Sequence, residues 1–229
     1  MKHGILYGVG IGPGDPELLT LKAARILSEC DLLALPDKGN GARTAYDIAC
    51  AAVPSLKEKP LLPLTLPMLP DRSEWAAYHD RAAEALLSRL NEGQTVAFVT
   101  LGDPTIYSTY LYLHRRVLEA GGDARLIPGV PSFCAAAAAM GVGLVEGDEP
   151  LHIVPAPYEG VDEALGWRGV KVLMKAGRAT PGVLDSLRRA DLYRGAWAVE
   201  CCGMPGERLY RSLDELEAQP GYFTVFVAK

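Results

Sequence analysis

The sequence predicts an α/β protein made of two α/β domains, the first with a mostly parallel sheet and the second with a mixed one. Three observations lead there. Short apolar runs alternate with amphipathic stretches through the first half of the chain. In the second half such runs crowd together, with room for only short helices between them. Turns rich in glycine and proline stand directly after several runs, where strands would end.

Ile5–Val9 is a short apolar run closing on glycines and reads as a buried strand. Thr20 can cap a helix running to about Glu29, with Leu21, Ala24 and Leu27 on its buried face. Leu32–Leu35 reads as the next strand, stopped by Pro36. After a proline- and glycine-rich stretch, Ser73–Leu90 reads as a long amphipathic helix ended near Gly93. Thr95–Leu101 is a further strand, followed by a helix from Thr105 to about Glu119 and a strand at Ala124–Ile127.

Ala135–Met140 reads as an alanine-rich helix. Leu151–Val154, Val170–Met174, Trp197–Val199, Arg208–Tyr210 and Tyr222–Val227 read as strands. The expected division lies near Gly121–Pro128, giving domains over 1–125 and 126–229.

Composition excludes several classes. With 49% hydrophobic and 22% charged residues, the chain reads as an ordinary soluble globular protein. Its longest apolar run, Phe133–Val145, is shorter than the ~20 residues of a spanning helix. Gly8, Gly10, Gly12 and Pro13 break the N-terminal apolar stretch, so no secretion signal is expected and the cytoplasm is the default location. A net charge of −5 argues against a nucleic-acid partner, though not against an anionic small substrate. Cysteines at 30, 50, 134, 201 and 202 are odd in number and form no C-x-x-C pair. The histidines at 3, 79, 114 and 152 show no ligand spacing, so no metal site is expected.

Three turns carry the functional signal: Gly8 to Pro16, Leu101 to Thr105, and Pro128 to Ser132. Each follows a predicted strand, and ligands of open α/β sheets bind outside the carboxyl ends of strands. Each also has a plainer reading. Asp103-Pro104 has the form of a helix cap followed by proline at the first helical position. The first turn departs from G-x-G-x-x-G because Pro13 and Asp15 interrupt it. Neither a P-loop nor a G-x-S-x-G nucleophile elbow occurs. A transfer reaction driven by positioning suits a chain with no evident side-chain nucleophile.

In this order and spacing the motifs resemble those of the tetrapyrrole (corrin/porphyrin) methylases. Gly8–Asp15, Gly102-Asp103-Pro104, and Pro128–Ser132 with Ala135–Ala139 match the three family signatures. Within the family, Thr100–Thr109, Pro16–Ala23, Gly129–Phe133, Gly203-x-x-Gly206-Glu207 and Tyr222–Thr224 are similar to the branch that methylates C20. Cys201 departs from the arginine expected after Glu200.

The resemblance implies S-adenosylmethionine bound in the cleft between two α/β domains, with S-adenosylhomocysteine as its product, and usually a homodimer. It implies methylation of C20 of precorrin-2 or of cobalt-factor II in cobalamin biosynthesis. Alternatives are another tetrapyrrole position and a non-catalytic sensor that keeps the cofactor site. Carried over by position, cofactor contacts fall on Leu101, Gly102, Asp103 and Ile106, on Ser132 and Phe133, on Met174 or Lys175, on Cys202, and on Thr224.

The meso carbon that accepts the methyl group must lose a proton, so a base would help. Asp15, Asp103, Tyr107 and Tyr110 are in reach by sequence, each with a structural alternative: turn-shaping for the aspartates, core packing for the tyrosines. The substrate's carboxylates call for cations. Lys38, Arg43 and His114 are candidates, whereas Arg115-Arg116 and Arg188-Arg189 read as solvated helix faces.

Overall fold

The structure is a computed structural model; it describes residues 4–37, 43–67, 72–157, 159–216 and 220–229. The chain divides into two compact units, Met1–Pro131 and Ser132–Lys229.

The first unit holds β1 (Ile5–Gly10), α1 (Leu21–Glu29), β2 (Leu32–Asp37), α2 (Thr44–Ala52) and β3 (Leu61–Thr65). It continues with α3 (Arg72–Asn91), β4 (Val96–Thr100), α4 (Tyr110–Glu119) and β5 (Asp123–Ile127). The sheet order is β3-β2-β4-β1-β5, and every pairing is parallel. One face is filled by Leu6, Leu64, Leu86, Phe98, Tyr110, Leu113 and Val117. Each such fully buried large side chain contributes about 1.5–3 kcal/mol.

Four details differ from the sequence reading. Leu21 is 91% exposed, because α1 turns Ala23, Ile26 and Leu27 inward instead. Pro36 does not stop β2. Its ring nitrogen faces the side where pairing with β4 already ends at Ala34, so no ladder bond is lost. β3, with α2 before it, lies in the stretch left without elements. Pro63 is tolerated there because β3 is an edge strand. Finally, α4 begins at Tyr110 rather than Thr105. Tyr107 adopts a left-handed φ of 49°, which no helix allows. Ser108 then accepts the Tyr110 N–H at 3.2 Å and bonds the Thr100 hydroxyl at 3.1 Å.

The second unit holds α5 (Ser132–Met140), β6 (Leu151–Pro155), α6 (Val161–Leu165), β7 (Val170–Met174) and α7 (Thr180–Arg189). Three strands complete it: β8 (Trp197–Glu200), β9 (Arg208–Tyr210) and β10 (Thr224–Ala228). The order is β6-β7-β10-β8-β9. β6 and β7 are parallel and the other pairings are antiparallel, so the sheet is mixed. Leu173, Ala198, Tyr210 and Phe226 pack beneath Val161 and Leu165 of α6 and Val183 and Leu187 of α7. α5 packs on β8 and β10. α7, at ten residues, is as long as α4, so not every helix here is short.

Candidate functional site

The order of the first sheet places β1 between β4 and β5. The three strands run parallel, so the loops leaving their carboxyl ends emerge side by side. Backbone bonds join the first two: Ile11 N–H donates to the Thr100 carbonyl at 3.0 Å, and Gly102 N–H to the Gly12 carbonyl at 2.8 Å. Asp103 joins the second loop to the third. Its Oδ2 accepts the Gly129 N–H at 3.0 Å, and its Oδ1 accepts the Thr105 N–H at 2.7 Å and the Thr105 hydroxyl.

Backbones meet too closely here for any side chain. A Cβ on Gly129 would stand 2.2 Å from the Gly102 carbonyl oxygen, and one on Gly10 would stand 2.6 Å from the same atom. Gly8 has a different reason to be glycine. The Tyr110 ring lies over it, 2.0 Å from where a Cβ would be. That glycine serves the core.

The joined loops contain no lysine, arginine or histidine, but they do contain Asp15 and Asp103. A phosphate ligand would find no cation there. Half-exposed Leu101 and Ile106 flank the buried Gly102 and supply apolar surface. Backbone polar groups, apolar walls and carboxylates suit a nucleoside bearing positive charge, and the residues present fit a sulfonium cofactor on that ground.

In the second unit, Met174, Lys175, Cys202 and Thr224 lie at one end of the sheet. Met174 ends β7, and Thr224 opens the antiparallel β10 with Val225 opposite Met174 and Thr224 opposite Glu200. Lys175 follows β7 with φ 61°, and Cys201 follows β8 with φ 51°. Left-handed backbone at a non-glycine residue costs about 1–3 kcal/mol and clusters at functional sites. Cys202 and Thr224 are buried, and Thr224 donates its hydroxyl to the Gly221 carbonyl at 2.9 Å. Ser132 opens α5, and Phe133 beside it is buried.

The candidates for proton transfer resolve in structural terms. Asp15 accepts the Glu17 N–H at 2.8 Å and so caps a short 3-10 turn. Asp103 is occupied by its three donors. Tyr110 is fully buried, its hydroxyl 3.0 Å from the Arg125 carbonyl and 3.2 Å from His114 Nδ1, and burial pushes its phenol well up. Tyr107 is not a core residue. It is 43% exposed, and it stands before α4 rather than on it.

The cation candidates separate as well. His114 bonds Tyr110, and burial, then Arg115, lowers its pKa, so it is a poor partner for carboxylates. Arg43 is exposed at the start of α2. Lys38 lies outside the described residues. Arg116 pairs with Asp80 at 2.6 Å, Arg188 with Asp185 at 3.0 Å, and Arg189 with Asp162 at 2.9 Å, as expected of helix-face charges. Among the described residues no group of three or more His, Cys, Asp or Glu could hold a metal ion. No helix among them is long and apolar enough to cross a membrane.

Sequence reasoning missed Glu200 as anything but a landmark. Its Oε1 accepts the Gly221 N–H at 2.7 Å and its Oε2 the Tyr210 hydroxyl at 3.2 Å. Nothing in the sequence pairs positions 200, 210 and 221, because the strand order alone brings them together.

The two sheets, with glycine-rich loops joined at the strand ends of the first, define a two-unit α/β protein. The chain belongs to the tetrapyrrole (corrin/porphyrin) methylases, whose family model matches residues 5–217. It is 32% identical to the precorrin-2 C(20)-methyltransferase of a Sinorhizobium species, over 97% of this chain and 94% of that one. It is 34% identical to the cobalamin biosynthesis protein CobIJ of Mycobacterium tuberculosis, over 97% of this chain but 45% of that one. The chain thus spans less than half the length of that relative. The crystal structure of cobalt precorrin-4 methyltransferase, CbiF, has the same fold, with a TM-score of 0.76 at 22% identity, covering 98% of this chain and 94% of that one.

Proposed function

We propose that the protein is an S-adenosylmethionine-dependent C-methyltransferase of cobalamin biosynthesis, acting at C20 of precorrin-2 or of cobalt-factor II. The observation that carries this reading is the loop cluster at the carboxyl ends of β4, β1 and β5, free of cations and built on glycine backbones in contact. Similarity along nearly the full length of the Sinorhizobium C20 enzyme supports the choice of position.

The cofactor, when bound, supplies a methyl group on a sulfonium. Its proposed contacts are Leu101, Gly102, Asp103, Ile106, Ser132, Phe133, Lys175, Cys202 and Thr224. Asp103 acts by fixing the loops rather than by taking a proton, because both its oxygens already accept backbone N–H groups. The chain's task is alignment of a carbon nucleophile with the methyl group and exclusion of water, which can supply roughly 7–11 kcal/mol. We further propose that the enzyme works as a homodimer in the cytoplasm on a polycarboxylate tetrapyrrole.

Incubation with S-adenosylmethionine and each of metal-free precorrin-2 and cobalt-factor II tests the reading. A mono-methylated product by mass spectrometry, with the new methyl at C20 by NMR, is expected with at least one of them. Methylation at another carbon would move the chain to another branch of the family, and no methylated product at all would overturn the activity.

A further inference from the structure

Glu200 ends β8, and the turn Gly221–Phe223 leads into β10 beside it. Two bonds join the segments and two more brace them. Glu200 Oε1 accepts the Gly221 N–H at 2.7 Å, and Oε2 accepts the Tyr210 hydroxyl from β9 at 3.2 Å. Cys201 N–H donates to the Phe223 carbonyl at 3.0 Å, and the Thr224 hydroxyl donates to the Gly221 carbonyl at 2.9 Å. Tyr210 is buried, so its hydroxyl is a fixed anchor for the carboxylate. The left-handed Cys201 lies next to this clamp, and a backbone in that region persists only where its surroundings over-determine it.

We propose that Glu200 is a positioning residue for ligand binding: its carboxylate locks the turn at 221–223 to the end of β8 and thereby sets where Thr224 and Cys202 stand. The inference rests on the methyltransferase reading, since Thr224 and Cys202 are cofactor contacts only within it. Glu200 itself touches no reacting atom in this scheme. Asp103 plays the corresponding part in the first unit. In both units, then, a half-buried carboxylate accepts a loop N–H, which is among the stronger classes of hydrogen bond.

Three substitutions separate this role from a general structural one. In Glu200→Gln the amide oxygen can accept from Gly221 and the amide nitrogen can donate to the Tyr210 oxygen, so both contacts survive without the charge. Glu200→Ala removes both. Gly221→Ala adds a Cβ 3.2 Å from Glu200 Oε1 and displaces the carboxylate while leaving the rest of the fold alone.

Binding of S-adenosylhomocysteine by calorimetry, with amide exchange at Gly221 by NMR, reads the outcome. Loss of a hydrogen bond to a charged group predicts roughly tenfold weaker binding for Glu200→Ala, about threefold for Gly221→Ala, and less than about twofold for Glu200→Gln. Unchanged affinity in a folded Glu200→Ala protein overturns the proposal, as does a Glu200→Gln protein as weak as Glu200→Ala. If Glu200→Ala does not fold, Gly221→Ala carries the test, and unchanged affinity there counts against the clamp. If the parent binds no S-adenosylhomocysteine, the methyltransferase reading fails instead. The clamp is then judged by exchange alone: a Gly221 amide protected in the parent and in Glu200→Gln but exposed in Glu200→Ala supports it, and a fast-exchanging parent amide refutes it.

Discussion

Asp103 Oδ2 accepts the N–H of Gly129, 26 residues further along the chain, at 3.0 Å. One carboxylate therefore fixes the distance between the loops that follow β4 and β5. The helix-cap reading of Asp103-Pro104 fails for the same reason. The helix starts at Tyr110, and the carboxylate serves its own turn through Thr105 and a neighbouring loop through Gly129 rather than a helix terminus.

Asp103→Asn tests that bond. An amide has one acceptor oxygen where the carboxylate uses two, so either Thr105 or Gly129 loses its acceptor and meets an N–H. We expect destabilisation of about 1–3 kcal/mol, seen as a lower urea midpoint. An unchanged midpoint would mean the bond contributes nothing to the loop cluster.

Two glycines should respond in opposite directions. Gly129→Ala drives a Cβ to 2.2 Å from a backbone oxygen that cannot move aside, so a loss of about 1–3 kcal/mol or more is expected in chemical unfolding. Gly182 lies within α7 with nothing within 4 Å of its would-be Cβ. Gly182→Ala should gain about 0.5–1 kcal/mol from helix propensity. The reverse ordering of the two midpoints would contradict the packing described for the loops.

His79 and His114 both have pKa values lowered below the ordinary 6.5, burial being the first cause in each. The unfolded chain then takes up protons below pH 6.5 that the folded protein resists. Stability should fall as pH drops from about 6.5 toward the depressed folded values, with a ceiling of about 1.4 kcal/mol per pKa unit of difference. A His79→Gln, His114→Gln double variant should lose less stability between pH 7.5 and pH 5 in urea unfolding. Parallel curves for the two proteins would remove these histidines from the acid response.

Lys171 is 4% exposed on β7, and desolvation lowers its pKa below 10.5. The charged form is favoured in the unfolded chain, so stability should rise with pH between the lowered folded value and 10.5, then level off. Lys171→Met keeps the length of the side chain and removes the charge. It should raise neutral-pH stability by less than about 1 kcal/mol and flatten the alkaline rise. Calorimetric melting from pH 7 to pH 10.5 would show both effects, and a variant less stable at neutral pH would refute the account.

Much of the fold was legible because its signals are local. Ile5–Val9 ends in glycines, Thr20 caps α1 through the Ala23 N–H, and Gly93 closes the long helix, each by chemistry within a few residues. β3 and α2 were not legible. A five-residue strand containing Pro63 resembles a loop until it is known to lie on an edge. Leu21 was placed on the wrong face, since the Leu21, Ala24 and Leu27 stripe competes with Ala23, Ile26 and Leu27, and only the neighbouring sheet selects one. The family motifs were read from their spelling, but Gly8 and Gly129 looked equivalent in that spelling. One accommodates the Tyr110 ring and the other a carbonyl oxygen.

By itself the sequence determined where most strands and helices lie, which turns end the strands, and that those turns carry acid and no base. These follow from hydrophobic period, turn chemistry and composition, all short-range properties. The tertiary structure alone decided that β1 lies between β4 and β5, which brings the three loops together. It also decided that β10 pairs between β7 and β8, which sets Gly221 against Glu200. Strand order depends on which faces can be buried together across long separations, and no local pattern encodes that choice. The two carboxylate clamps, Asp103 and Glu200, exist only because of it.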